Sequence, residues 1–214
     1  MATVLIMAFL AASASIDPQV HLPEPGDPSG MTLEEAIVSR RSVRSYSEEP
    51  LTLQQLASLL FAAGGITSDR GFRAAPSAGA TYPMTMYVVS ERVQDLQPGI
   101  YEFHPDSMVL VAVAGGEFLN GLAEAALGQP CIRDCAAAVV LAARYSRTTR
   151  VYGDRGYMYV HMEAGHISQN IYLQAAALGL GTVAVGAFID EDVAELMRLE
   201  EDMTPLYIMP VGRI

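Results

Sequence analysis

The chain has no lysine and no tryptophan, and charged residues make up only 17% of its 214 positions. All 13 basic residues are therefore arginines, set against 24 acidic ones for a formal net charge of −11. Nucleic-acid binding wants a basic stripe, so this balance argues against such a partner. Cysteine is scarce as well. Cys131 and Cys135 stand at i, i+4 with no second cysteine pair or histidine cluster beside them, which reads as a thiol pair in a helix or buried turn rather than a zinc site. Nothing in that usage demands an oxidising compartment. The four histidines are His21, His104, His161 and His166. The i, i+5 spacing of His161 and His166 turns them away from a shared helical face, so no metal site is expected. His166 lies in an otherwise apolar segment and reads as a core histidine with a satisfied partner.

Long hydrophobic runs are missing too. Val4 to Ala12 is an apolar run of 9 residues, against about 20 for a membrane span. Ala12-Ser13-Ala14 resembles a signal-peptidase site, but the basic segment that normally precedes one is absent. Residues 1–21 are accordingly expected to be an N-terminal arm packed on the body or on a partner, with a signal-like segment as the alternative. The expected location is cytoplasmic, without membrane association. No nucleophile elbow, phosphate-binding Walker loop or H-E-x-x-H motif is present. Gly179-x-Gly181 lacks the third glycine of a dinucleotide fingerprint and precedes a strand, so it reads as a helix terminator.

What the chain does have is apolar mass: 51% hydrophobic residues and a mean hydropathy of +0.25. One domain of this length can bury a sizeable core, and an extensive subunit interface accounts for the remainder. Residues 16–30 carry prolines and glycines and read as an extended arm. Thr32 to Glu35 and Thr52 to Gln55 are capping boxes, each opening a helix, the second ended by Gly64-Gly65. Met84 to Val89 reads as a strand. Residues 99–103 and 108–113 read as a hairpin, and residues 136–143 as a strand buried on both faces. A helix is expected over 117–127, a polar connector over 144–156, and a long helix from about Tyr159 to Leu178 that is apolar on most sides. A short strand from Thr182 to Val185, a turn at Gly186 to Phe188, a helix from Asp190 to Leu199 and a strand from Leu206 to Val211 close the chain.

Two stretches carry chemistry. Ser39 to Tyr46, S-R-R-S-V-R-S-Y, delivers Arg41, Ser42 and Arg44 just past the first helix. Guanidinium forks beside a hydroxyl suit a phosphate, because they offer bidentate, charge-assisted donors. Cations at a helix C-terminus also answer its dipole, and both readings stand at this point. Ala75 to Pro83, A-P-S-A-G-A-T-Y-P, is a run of small residues whose backbone can approach a ligand closely; it can equally be a tight connector. With no nucleophile or metal in view, such a site makes sense if a bound cofactor does the chemistry and the protein supplies clamps.

The cluster R-R-S-V-R-S-Y, the A-P-S-A-G-A-T-Y-P loop, G-I-Y-E-F, Y-G-D-R-G-Y, the E-A-G-H-I-S-Q-N-I-Y-L-Q-A-A-A-L-G-L-G-T segment and the terminal P-V-G-R, taken together, resemble the nitroreductase family. More narrowly they resemble its SagB-type dehydrogenase branch, which includes the azoline oxidases of thiazole- and oxazole-modified peptide pathways. The resemblance runs over residues 22–214. It implies an α+β fold with a central, mostly antiparallel sheet flanked by helices, in an intertwined homodimer with FMN at the subunit interface. It assigns Arg40, Arg41, Ser42 and Arg44 to the phosphate and ribityl chain, with Arg213 as a further cation. Pro76, Ser77, Gly79 and Ala80 fall to the loop lining the flavin, and Gly186 and Ala187 to the turn beside the ring. Azoline oxidases of the branch carry a Lys-Tyr pair in the connector. Here those positions are Val151 and Tyr152, and valine cannot accept a proton. Tyr152 is left as the catalytic candidate.

Three functions follow from the resemblance. The first is an FMN-dependent, SagB-like oxidoreductase transferring hydride at flavin N5 to or from a small-molecule or modified-peptide substrate. The second is a generalist reductase of nitro compounds, quinones or activated alkenes, with NAD(P)H as electron donor. The third is a flavin-binding subunit or flavin store without turnover.

Overall fold

The computed structural model describes residues 16–26 and 30–214. The Val4 to Ala12 run and the Ala12-Ser13-Ala14 stretch lie outside the described residues. Among the described residues seven strands form one sheet: β1 (Gln19–His21), β2 (Met84–Ser90), β3 (Gly99–His104), β4 (Val109–Gly115), β5 (Ala137–Ala143), β6 (Leu180–Thr182) and β7 (Thr204–Arg213). Their order is β1-β4-β3-β2-β5-β7-β6, with every neighbouring pair antiparallel. Helices α1 (Leu33–Ser39), α2 (Leu53–Gly64), α3 (Leu119–Ala125), α4 (Pro130–Arg133), α5 (Ser146–Tyr152), α6 (Arg155–Ala177) and α7 (Asp190–Met197) flank it. This is the α+β architecture expected.

The sheet is covered on both faces because β5 leaves no polar side to expose. Its alternation sends Ala137, Val139, Leu141 and Ala143 into the core shared with α2 and α6, and Ala138, Val140 and Ala142 into the core shared with α3, α4 and α7. Both capping boxes form. The Thr32 hydroxyl accepts from the Glu35 N–H at 3.2 Å while the Glu35 carboxylate accepts from the Thr32 N–H at 2.8 Å. The Thr52–Gln55 pair does the same at 3.1 and 3.0 Å. Cys131 and Cys135 are free thiols in the second core, and burial pushes the Cys135 thiol up.

The structure departs from the sequence reading in four places. Residues 19–21 of the expected arm pair with β4 as an edge strand. The expected polar connector contains α5, whose serine, threonines, valine and tyrosine carry a weak helical signal. Contacts across the fold support it instead: Thr148 is buried with its hydroxyl 2.8 Å from that of Thr81, and Arg147 donates to the Tyr82 carbonyl at 2.9 Å. The long helix starts at Arg155 rather than Tyr159, and Gly156 lets it meet α5, since a Cβ there would stand 2.8 Å from the Thr149 Cα. The sixth strand is Leu180–Thr182 rather than Thr182 to Val185. Gly179, at φ 67°, turns the chain directly from α6 into it, and Gly181 passes between Val43 and Ile214 where any side chain would collide.

Leu141 sits fully buried at the centre of β5. Leu141→Ala is expected to lower stability by about 2–5 kcal/mol through lost burial and the cavity left behind. Urea unfolding checks this: the midpoint should fall with an unchanged slope.

Candidate functional site

Two groups of polar residues hang from α6, whose stripe of Val160, Ala164, Ile167, Ile171 and Ala175 is buried against the sheet. Arg40 is the C-cap of α1, and its guanidinium lies over the Tyr172 ring, 5.1 Å from the centroid. Arg41 turns back on α1, donating to the carbonyls of Val38 at 2.9 Å and Arg40 at 2.7 Å, where it meets the negative end of the helix dipole. The next two residues run beside β6: Ser42 bridges Thr182, and the Val43 N–H donates to the Thr182 carbonyl at 2.9 Å.

This places the Ser42 hydroxyl 3.0 Å from the Tyr172 hydroxyl, which also accepts the Ala184 N–H at 2.8 Å. Running the relay from Ala184 through Tyr172 to Ser42 uses each hydroxyl once as donor and leaves the Ser42 hydrogen for an outside acceptor. Two residues past Ala184 lie Gly186 and Ala187, both exposed; the Ala187 carbonyl accepts from the Gln129 amide at 2.9 Å. Arg44 is exposed on the side of Tyr46 and Cys131. Arg213 donates to the Pro50 carbonyl at 3.0 Å and stands 3.7 Å from the Glu49 carboxylate. Among the described residues Arg40, Arg41 and Arg44 make no ion pair, in a chain of net charge −11. The buried Thr182 hydroxyl, beside them, has no hydrogen-bond partner among the described residues. Guanidiniums without ion pairs and the outward hydrogen of Ser42 are a donor set that fits a phosphate.

The second group surrounds the small-residue loop. Ser77 precedes a 3₁₀ turn over Ala78–Ala80, in which Gly79 and Ala80 take φ of 58° and 51°. The Ser77 hydroxyl oxygen accepts from the Tyr82 N–H at 3.0 Å and closes the loop. Tyr152 lies on this turn: a Cβ on Gly79 would come 2.6 Å from the Tyr152 hydroxyl. Its ring also meets Tyr159 edge-on at 5.1 Å. Neighbouring Val151 is 62% exposed, an apolar side chain that offers no proton acceptor.

A cavity of about 270 Å³ opens between Pro76, Ser77 and the α6 residues Tyr159, Met162, Glu163 and His166. His166 is exposed rather than in the core, with Nδ1 3.2 Å from the Pro76 carbonyl, while His161 meets the Tyr145 hydroxyl at 2.6 Å. Glu163 is only 4% exposed. Burial raises its carboxyl from 4.5 to about 7, although a hydrogen bond with Ser77 and the charge of Arg73 pull the other way.

His166 and Tyr172 are six residues apart, roughly 9 Å along α6 and about 120° around it. On one chain, then, the cationic group and the small-residue loop face different ways. Sequence reasoning missed Tyr172 and Glu163. The lone carboxylate in an apolar helix was a usable signal for Glu163; Tyr172 had none, because only the fold brings it to Ser42.

Comparison with known proteins supplies relatives. A model of the nitroreductase family matches residues 37–213. MJ1384 of Methanocaldococcus jannaschii, which carries the nitroreductase name, is 48% identical over 195 residues, covering 91% of this chain and 96% of that protein. The microcin B17-processing protein McbC of Escherichia coli is 29% identical over 150 residues, 65% of this chain and 53% of McbC, so the chain spans about half of that relative's length. The crystal structure of a Ralstonia eutropha protein of nitroreductase name superposes with a TM-score of 0.80 at 29% identity, over 92% of this chain and 90% of that one.

The raised Glu163 carboxyl makes stability depend on pH. Its folded form holds a proton that the unfolded chain releases near 4.5, so its contribution is full below that value and is lost as pH rises through about 7. Glu163→Gln removes the dependence. Thermal melts of variant and wild type should therefore diverge in favour of the variant between about pH 5 and pH 8, by up to about 3 kcal/mol.

Proposed function

Because the chain belongs to the nitroreductase family and has its fold, we propose that this oxidoreductase works with FMN, bound between two copies of the chain, in the manner of the SagB-type branch. The likeness to McbC supports that branch. The observation that carries the reading is the arginine cluster without ion pairs beside Ser42, which Tyr172 links to Ala184, two residues before the exposed backbone of Gly186. Arg40, Arg41, Ser42 and Arg44 hold the phosphate, with Arg213 as a further cation, held at Pro50 and partly offset by Glu49. Gly186 and Ala187 offer backbone groups to the ring edge. Pro76, Ser77, Gly79 and Ala80 form the facing wall.

That wall comes from the second copy. The two groups face different sides of α6, so a ligand touching both takes one from each chain. The apolar residues Tyr157, Met158 and Met162 on the outer side of α6, with Leu33, Ile37 and Val38 on α1, are surface that such an interface covers.

FMN, when bound, supplies reversible two-electron hydride chemistry at N5. The chain's own part is to position and to manage protons. Tyr152, held against Gly79, orients the substrate or donates a proton at its hydroxyl. Val151 offers no base, and the chain has no lysine to replace it. This weighs against a lysine-dependent azoline oxidation and supports, as a second reading, a reductase fed by NAD(P)H and acting on small nitro compounds, quinones or activated alkenes. Residues 22–214 constitute the FMN-binding domain in either case.

The phosphate assignment is tested by changing Arg40, Arg41 and Arg44 together to alanine. The variant should fold, form dimers and purify colourless; a variant that keeps full flavin occupancy sinks the assignment. Adding NADH or NADPH anaerobically to the wild-type protein separates the two reactions. Rapid bleaching of the flavin is expected for the generalist reductase, and no bleaching except with azoline peptides contradicts it.

A further inference from the structure

Glu163 has no part in the function proposed above, yet it is the buried acid of the cavity beneath the small-residue loop. It reaches the Pro76–Ser77 wall from α6, flanked on its own helix by Tyr159 and His166. From the loop it faces Ser77 and, farther off, Arg73, whose guanidinium is engaged over the Tyr82 ring at 4.5 Å. Tyr152 of α5 stands across Gly79. No ion pair holds Glu163 among the described residues.

Hydrogen-bond accounting at Ser77 gives this carboxyl a use. The serine oxygen already accepts the Tyr82 N–H at 3.0 Å. With Glu163 ionised, the serine hydrogen can turn to the carboxylate that lines the same cavity. With Glu163 protonated, its own O–H can donate to the serine oxygen, and the serine hydrogen turns toward the cavity. A proton arriving on Glu163 is thus passed on as a hydrogen presented by Ser77.

Resting on the flavin reading above, we propose that Glu163 is a proton-relay residue, delivering a proton through the Ser77 hydroxyl to a small hydride acceptor, such as a quinone, bound in the cavity. The balance is A + H⁻ + H⁺ → AH₂. FMN held at the proposed site would supply the hydride and its two electrons, with a nicotinamide dinucleotide or another hydride donor as the outside reductant. The proton leaves Glu163 as a carboxylate, and solvent at the open, His166 side restores it. A carboxyl poised near neutrality suits both halves of that cycle, since general acids work best with a pKa near the operating pH. The relay also fills the place left by Val151: the proton path runs from α6 instead of from the connector.

Glu163→Gln keeps the shape and a hydrogen bond to Ser77 but carries no exchangeable acid; Glu163→Asp restores an acid on a shorter stem. In protein labelled with ¹³C at glutamate carboxyls, the signal lost in Glu163→Gln should titrate near 7, with or without flavin. A midpoint below about 5 overturns the relay. Photoreduced, flavin-loaded proteins are then mixed anaerobically with a quinone. Wild-type reoxidation should slow as pH rises through about 7, Glu163→Gln should be about 100-fold slower without that dependence, and Glu163→Asp should recover part of the rate. Flavin-replete Glu163→Gln with wild-type rates sinks the relay alone. A wild-type protein that takes up no flavin sinks the flavin reading, and the relay with it.

Discussion

The packing of one stripe of α6 against the sheet positions the polar side chains that this helix brings to the site. Val160, Ala164, Ile167, Ile171 and Ala175 repeat at three- and four-residue intervals and are all buried in the core shared with β5 and α2. Once that stripe is fixed, the helix has no freedom to rotate. Glu163 and His166 must then meet the Pro76–Ser77 wall, and Tyr172 must meet Ser42 and Ala184. Fixed placement is what a cofactor site needs, because ligands are gripped by groups already held in position rather than by groups ordered on binding.

The polar groups are held at a cost in stability. A carboxyl 4% exposed and a buried threonine hydroxyl without a partner among the described residues are both unfavourable in a folded chain. Nearby backbone shares the pattern, with Gly79, Ala80 and Tyr82 at positive φ within one loop. Such features cluster where function requires them and persist because the surrounding core is large enough to offset them. The core here is large: β5 is buried on both faces, and two separate apolar clusters cover the sheet.

Much of the fold was legible in the sequence, for identifiable reasons. Capping boxes at Thr32 and Thr52 are local hydrogen-bond patterns and formed as read. The β5 run is legible because burial on both faces needs unbroken apolar residues. The helix α5 was not, since its support comes from Thr81 and Tyr82, more than sixty residues away. Nor was the sixth strand's position, which depends on Val43 and Ile214 crowding Gly181. Of the site, the arginine cluster and the small-residue loop stood out as compositional anomalies. Their separation around α6, and the tyrosine and glutamate between them, depend on helix rotation and burial that no linear pattern records. Arg41 illustrates the difference: adjacent to Arg40 in sequence, it turns back to cap α1 while Arg40 goes to Tyr172.

In the proposed dimer, arginine cluster and small-residue wall meet only between two copies of the chain, around a flavin. Mixing two variants that each lose flavin tests that arrangement most directly. One is the triple arginine-to-alanine variant; the other is Pro76→Trp, which fills the wall at an exposed position. Unfolded and refolded together with FMN, random pairing makes about half the dimers mixed, and each mixed dimer holds one intact site, so flavin should return to about a quarter of all sites. Flavin absorbance that stays at the level of the separate variants would show that each site lies within a single chain, and would contradict the account.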